Sequence, residues 1–135
     1  MKYYTNKLKE FNKAFNVPVD GNLDTPSELR FKLMQEENEE YLDARLIEDK
    51  TERNKEVIDA LADQLYILCG TIIHHGLEDN IQEAFDIVHE SNMSKLQDGQ
   101  PVINGKNGVM DWRKPKGKII KGKDFKEPCF NSILN

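Results

Sequence analysis

Cysteine is scarce in this chain. Cys69 and Cys129 are the two, and neither sits in a CxxC or Cys/His spacing. That excludes a disulfide framework or a thiolate metal site and makes free thiols in a reducing compartment the expectation. No apolar signal region follows Met1, and no run of residues reads as long enough to span a membrane. A cytoplasmic chain with no membrane partner is expected. Positive charge is in deficit as well: the net charge is −5, against the basic footprint that nucleic-acid binding needs, so no nucleic-acid partner is expected. Acid-x-x-His pairs are also few. Only Asp86-Ile87-Val88-His89 has that spacing, whereas a ferritin-like di-iron bundle needs two such pairs on facing helices.

What the chain does have is helical periodicity followed by a change of character. The first helix is expected over about Tyr4 to Phe15, ending ahead of Pro18. The second opens at Thr25-Pro26-Ser27-Glu28, which has the form of a capping box with proline at the first helical position, and runs to about Ile47. The third is expected from Thr51 or Glu52 to His75, with Gly76 as its C-terminal cap. The fourth is expected from a second capping-box pattern, Asn80 to Glu83, as far as Leu96. Beyond it glycine and proline recur, with one short extended piece at Lys118-Ile119-Ile120. The segment from Asp98 carries eight Lys and Arg against four Asp and Glu, a net of +4 that leaves −9 on the rest. The expected organisation is an all-α domain over 1–97 and an irregular basic tail over 98–135 that packs on the domain or on a neighbouring subunit.

The informative feature is acid where a core stripe should be. On the second helix Leu29, Leu33, Glu36, Glu40, Ala44 and Ile47 follow one face, apolar at both ends and acidic in the middle. At ~100° per residue, Glu36, Glu40 and Asp43 fall within about 60° of one another, with Glu37 beside them. The third helix repeats the pattern in Glu56, Asp59, Asp63, Ile67, Gly70 and His74. Its other face, Ile58, Leu61, Leu65, Leu68 and Ile72, is apolar, so the helix reads as a buried element whose acids project between helices. Such acidic runs are either solvated faces or a shared interior cluster. Two stripes that each interrupt an apolar pattern favour the cluster, and clustered carboxylates need raised pKa values, basic partners or cations. Basic partners are few on both stripes, and all-oxygen ligands select Mg²⁺, Mn²⁺ or Ca²⁺ over zinc.

The fourth helix places Asn92 on its inward stripe beside Ile81, Phe85, Val88 and Leu96, with Lys95 nearby. Asn92 is either a satisfied core amide or, with Lys95, a contact for nucleotide groups. Phe11 and Phe15 are either core or the lining of a base pocket.

Together these segments resemble the MazG-like all-α nucleoside triphosphate pyrophosphatases, particularly the phosphoribosyl-ATP pyrophosphohydrolase-like members. The EExxE motif of that group is matched by Glu36-Glu37-Asn38-Glu39-Glu40, followed by Tyr41-Leu42-Asp43-Ala44. The ExxD motif is matched by Glu56-Val57-Ile58-Asp59, and Asp59-Ala60-Leu61-Ala62-Asp63-Gln64-Leu65-Tyr66 resembles the third helix of the group. His89-Glu90-Ser91-Asn92-Met93-Ser94-Lys95-Leu96 and Lys121-Gly122-Lys123-Asp124-Phe125 resemble its later segments. There is one departure: if the ExxD aspartate aligns with Asp63, Ala60 stands where glutamate is expected. Either Glu56 and Asp59 form the pair, or Asp63 supplies an additional or alternative ligand.

The resemblance implies a four-helix fold that hydrolyses a nucleoside triphosphate between its α and β phosphates. It implies Mg²⁺, with Mn²⁺ as a substitute, on Glu36, Glu37, Glu40 and the Glu56, Asp59, Asp63 set, and Glu37 orienting the attacking, metal-activated water. Asn92 and Lys95 would place the substrate, Lys118, Lys121 and Lys123 would close over its phosphates, and a homodimer or homotetramer is implied. The competing reading is a non-catalytic helical module that binds nucleotide or protein.

Overall fold

The computed structural model describes residues 1–134; Asn135, the end of the expected tail, lies outside them. The chain is all-α: α1 (Lys2–Ala14), α2 (Glu28–Ala44), α3 (Lys50–His74), α4 (Ile81–Met93), the two-residue strands β1 (Val102–Ile103) and β2 (Ile119–Ile120), and α5 (Asn131–Leu134). It divides into two compact units, Met1–Ile81 and Gln82–Asn135.

In the first unit α1 and α2 both pack on α3. Thr5, Leu8 and Asn12, spaced three and four apart, form the buried stripe of α1. Leu8 meets Cys69 and Ile73 of α3 in the core. Further along, Ala44 and Ala60 are buried, 5% and 3% exposed, so α2 and α3 have small residues at the acidic end of their contact.

The helix starts follow hydrogen bonds that the sequence reading assigned elsewhere. The Thr25 hydroxyl accepts from the Asn22 N–H (2.8 Å) and closes a turn, and α2 begins three residues later, at Glu28, with no side-chain cap on Ser27. The expected Thr25 capping box is therefore replaced by an Asn22–Thr25 turn. The cap that does form is on α3, where Asp49 Oδ1 accepts from Glu52 N–H (2.8 Å), in a stretch expected to be linker. At the other end of α3 the expectation holds. Gly76 adopts φ +66°; its N–H donates to Ile73 O and the Leu77 N–H donates to Ile72 O, the paired bonds of a Schellman motif. α3 also has the length and apolar content of a membrane span, contrary to the expectation that no segment does. Four acids, Glu52, Glu56, Asp59 and Asp63, lie within it.

The inward faces are rotated from those expected. Leu29 is 66% exposed, and Arg30 takes its place against α3. On α4 the buried residue is Ser91; Asn92, expected on the core stripe, is exposed. The supposed second core stripe of α3 is largely open, with Ile58 69%, Leu61 50% and Leu68 42% exposed.

The second unit is ordered by side chains more than by regular structure. The Ser91 hydroxyl donates to Lys126 O (2.7 Å), and the Ser94 hydroxyl accepts from Lys126 N–H (2.8 Å), which ties the chain end to α4. β1 and β2 pair antiparallel, Val102 with Ile120 and Ile103 with Ile119, so the extended piece expected at 118–120 is a strand edge. Between the strands Asn104 is fully buried, its amide donating to the carbonyls of Asp111, Lys114 and Pro115 and its oxygen accepting from Asp111 N–H (2.7 Å). Asp111 in turn binds Arg113 through Nε (3.0 Å) and Nη2 (3.1 Å), and these bonds hold its carboxyl down at about 2.

Asn104→Ala removes all of the Asn104 side-chain bonds at once and leaves part-buried carbonyls without their donor. The expected cost is about 2–4 kcal/mol, confined to the loop. Hydrogen exchange should show lost protection over 104–118 with α3 unaffected, and retained loop protection would refute the hub.

Candidate active site

α2 and α3 run side by side with their acidic midpoints facing: Arg30 and Glu37 on α2 are seven residues apart, as are Gly70 and Asp63 on α3. That register brings oxygens of Glu37, Glu40 and Asp63 within 4.8 Å of one another. Glu37 and Asp63 are partly buried and Glu40 is exposed. Glu37 Oε2 is buried with no hydrogen-bond partner. Burial first, then the charges of Glu40 and Asp63, a hydrogen bond with Glu40 and the charge of Glu36, push the Glu37 carboxyl above its ordinary range. No Lys or Arg forms an ion pair with any of the three among the described residues.

A second group adjoins the first through Glu40. Glu40, Asp43, Glu56 and Asp59 line an open cavity of about 370 Å³ floored by Ala44 and Ala60. The expected ligand set thus falls into two neighbouring groups. Glu37, Glu40 and Asp63 converge; Glu56 and Asp59 are exposed and share the cavity with Glu40; Glu36 is exposed and belongs to neither group. Asp43, which the sequence reading placed near the cluster, belongs to the second group.

This donor set suits a hard divalent cation. It is all oxygen, partly desolvated and without a basic partner, and one buried carboxylate oxygen has no other use. Glu37, Glu40 and Asp63 are the residues that would hold such an ion.

In the second unit Lys95 is half-buried and Asn92 exposed. Lys121 binds Glu127 (3.3 Å) and lies 4.5 Å over the Phe125 ring, Lys123 binds Asp98 (3.3 Å), and Lys118 is exposed. Both pairs are solvent-exposed and worth little.

Two residues escaped the sequence reading. Arg30 lies half-buried across Gly70, its Nε donating to Thr71 Oγ1 (3.1 Å) and its Nη2 to Ile67 O (2.8 Å). A Cβ on residue 70 would stand 2.5 Å from Nη2, so glycine makes room for the guanidinium. Burial lowers the Arg30 pKa from its very high ordinary value. Asn12, only 6% exposed, is the other. The signal for Arg30 was present: it precedes Glu37 by seven residues and so shares its face. Phe11 and Phe15, the alternative base-pocket residues, stack on each other at 4.5 Å, with Tyr66 edge-on to Phe11 at 5.7 Å.

A family model described as phosphoribosyl-ATP pyrophosphohydrolase matches residues 4–92, well over half of the chain and all of α2 and α3. No curated protein matches at a significant level. The chain belongs to the phosphoribosyl-ATP pyrophosphohydrolase family, within the MazG-like all-α nucleoside triphosphate pyrophosphatases, and is by that membership a nucleotide pyrophosphohydrolase.

Proposed function

We propose that this protein hydrolyses a nucleoside or deoxynucleoside triphosphate to the monophosphate and pyrophosphate, with Mg²⁺ as the resident ion and Mn²⁺ as a substitute. The observation that carries this reading is the Glu37, Glu40 and Asp63 convergence, with its unpartnered buried oxygen. Glu56 and Asp59 from the adjoining group, together with Glu36 of α2, complete the ligand sphere. When bound, the ion supplies positive charge that offsets the triphosphate and its leaving pyrophosphate. Glu37, with its raised pKa, takes the proton from the attacking water and aims that water at the α-phosphorus. The water oxygen bonds to that phosphorus as the bond from phosphorus to the α–β bridging oxygen breaks, and the electron pair leaves with pyrophosphate. Asn92 and Lys95 place the substrate, and Lys118, Lys121 and Lys123 close on its phosphates.

The open apolar stripe on α3 supports a homodimer or homotetramer in which a second copy covers it. The protein acts in the cytoplasm, with no nucleic-acid or membrane partner.

The test is a panel of ribonucleoside and deoxynucleoside triphosphates incubated with the purified protein, with Mg²⁺ or with EDTA, and the products separated by chromatography. Monophosphate and pyrophosphate should form only with the metal. Diphosphate products, or turnover indifferent to EDTA, would overturn the mechanism. No turnover, together with thermal stability unmoved by Mg²⁺, would leave a non-catalytic helical module.

A further inference from the structure

The first unit contains a cavity of about 330 Å³ that the proposed chemistry does not use. Arg30, Asn12, Asp20, Thr25 and His74 supply its polar groups, and Leu29 is among its apolar walls. Two glycines shape it: Gly70 admits the guanidinium, and a Cβ on Gly21 would sit 1.8 Å from the His74 carbonyl oxygen.

The polar groups in this cavity are incompletely used. Arg30 has five N–H bonds, and its two recorded partners are the Thr71 hydroxyl and the Ile67 carbonyl. Among the described residues no carboxylate pairs with it. The Asn12 side chain makes no hydrogen bond among the described residues. The residue is 6% exposed and lines the cavity. Half-buried donors without acceptors are costly unless a ligand or water supplies them.

We infer that Arg30 reads the base of the nucleotide substrate, donating to a ring carbonyl, and that the cavity selects oxo bases over amino bases. This deepens the function proposed above and rests on it. Position supports it. Arg30 and Glu37 are seven residues apart on one face of α2, and Gly70 and Asp63 seven apart on α3. The cavity and the acidic cluster therefore lie on the same helix seam, about 10 Å apart. A nucleotide bridges that span with its phosphates at the acids. Chemistry favours a base over a phosphate in the cavity. The walls are mainly apolar, as a flat ring requires, and an oxyanion would have to face the Asp20 carboxylate. An oxo base offers a carbonyl oxygen to Arg30 and a ring N–H to Asp20. On the corresponding edge adenine and cytosine present an amino donor, which meets the guanidinium donor against donor.

Unphosphorylated nucleosides test the cavity apart from catalysis. Uridine, thymidine, guanosine, cytidine and adenosine are titrated into the protein in EDTA and followed by ligand-observed NMR. The three oxo nucleosides should bind more tightly than the two amino ones. Arg30→Gln should weaken them by about tenfold or more and erase the preference. Because Arg30→Gln removes bonds to α3, Leu29→Trp serves as the second variant: it fills the cavity from an exposed position and should block all five. With Mg²⁺ and the corresponding triphosphates, the ratio of kcat/KM between oxo and amino substrates should collapse toward one in Arg30→Gln. Oxo nucleosides binding while no triphosphate is cleaved would sink the hydrolase reading and leave the cavity assignment standing. Cleavage with no nucleoside binding, or with an unchanged base ratio in Arg30→Gln, would sink the cavity assignment and leave the hydrolase.

Discussion

Glu37→Gln should raise the melting temperature of the metal-free protein and remove its hydrolytic activity. Both effects come from one carboxylate. Glu37 is pushed up by burial and by its acidic neighbours, so its folded pKa stands above its unfolded value. Such a group stabilises the fold below the unfolded carboxylate range and loses that contribution as pH rises through the folded pKa. At neutral pH and without a cation, ionised Glu37 therefore works against folding. Glutamine keeps the shape and removes the charge. A rise of about 3 °C is expected in EDTA at pH 7, shrinking as pH falls into the carboxylate range. Mg²⁺ should raise the wild-type melting temperature and move the variant much less. Loss of the proton acceptor should lower kcat by about 10²–10⁴-fold. Scanning fluorimetry across pH, with and without Mg²⁺, together with steady-state hydrolysis, checks each part. A variant less stable than wild type in EDTA would show that the Glu37 charge is already compensated by the fold.

The acidic site was legible because it depends on helical periodicity. Glu40 and Asp63 announce themselves by interrupting apolar stripes, with Glu37 beside the first, and stripes on packed helices must face one another. What the pattern could not fix was rotation. The reading put Leu29 inward and gave Arg30 no place, and a step of about 100° brings Arg30 inward instead. The aliphatic stem and buried head of Arg30 reach α3 only because Gly70 leaves space there, a fact about the partner helix. Asn92 and Ser91 exchanged places for the same reason: Ser91 is drawn inward by the carbonyl of Lys126, 35 positions away. Helix starts behaved likewise. Thr25 and Asp49 both carry cap-forming oxygens, and Thr25 was taken by a turn amide at Asn22. The tail was least legible, since its order rests on Asn104 gathering carbonyls from residues 111, 114 and 115, and no local pattern encodes that choice.

Ile58→Lys combined with Leu61→Lys should reduce the solution mass of the protein to that of a single chain. These residues open the α3 stripe that continues through Leu65 and Leu68 at alternating three- and four-residue spacing, the form of a helix-packing seam. Ile58 and Leu61 are 69% and 50% exposed on the single chain, and Phe31 and Met34 extend the apolar surface alongside Leu68. Water contact over so continuous a face is costly, and a second copy packed on it would remove that contact. In a two-fold contact each substitution acts twice, so four side chains change together. At about 1–1.5 kcal/mol for each partly exposed side chain, the loss is about 4–6 kcal/mol, or roughly 10³–10⁴-fold in the dissociation constant. Lysine adds the cost of a charge at the seam. Sedimentation velocity at micromolar concentration should show the wild type as a dimer or tetramer and the variant as a monomer with retained helical circular dichroism. If the wild type already sediments as a monomer, or the variant keeps its mass, the stripe is covered by something other than a copy of itself.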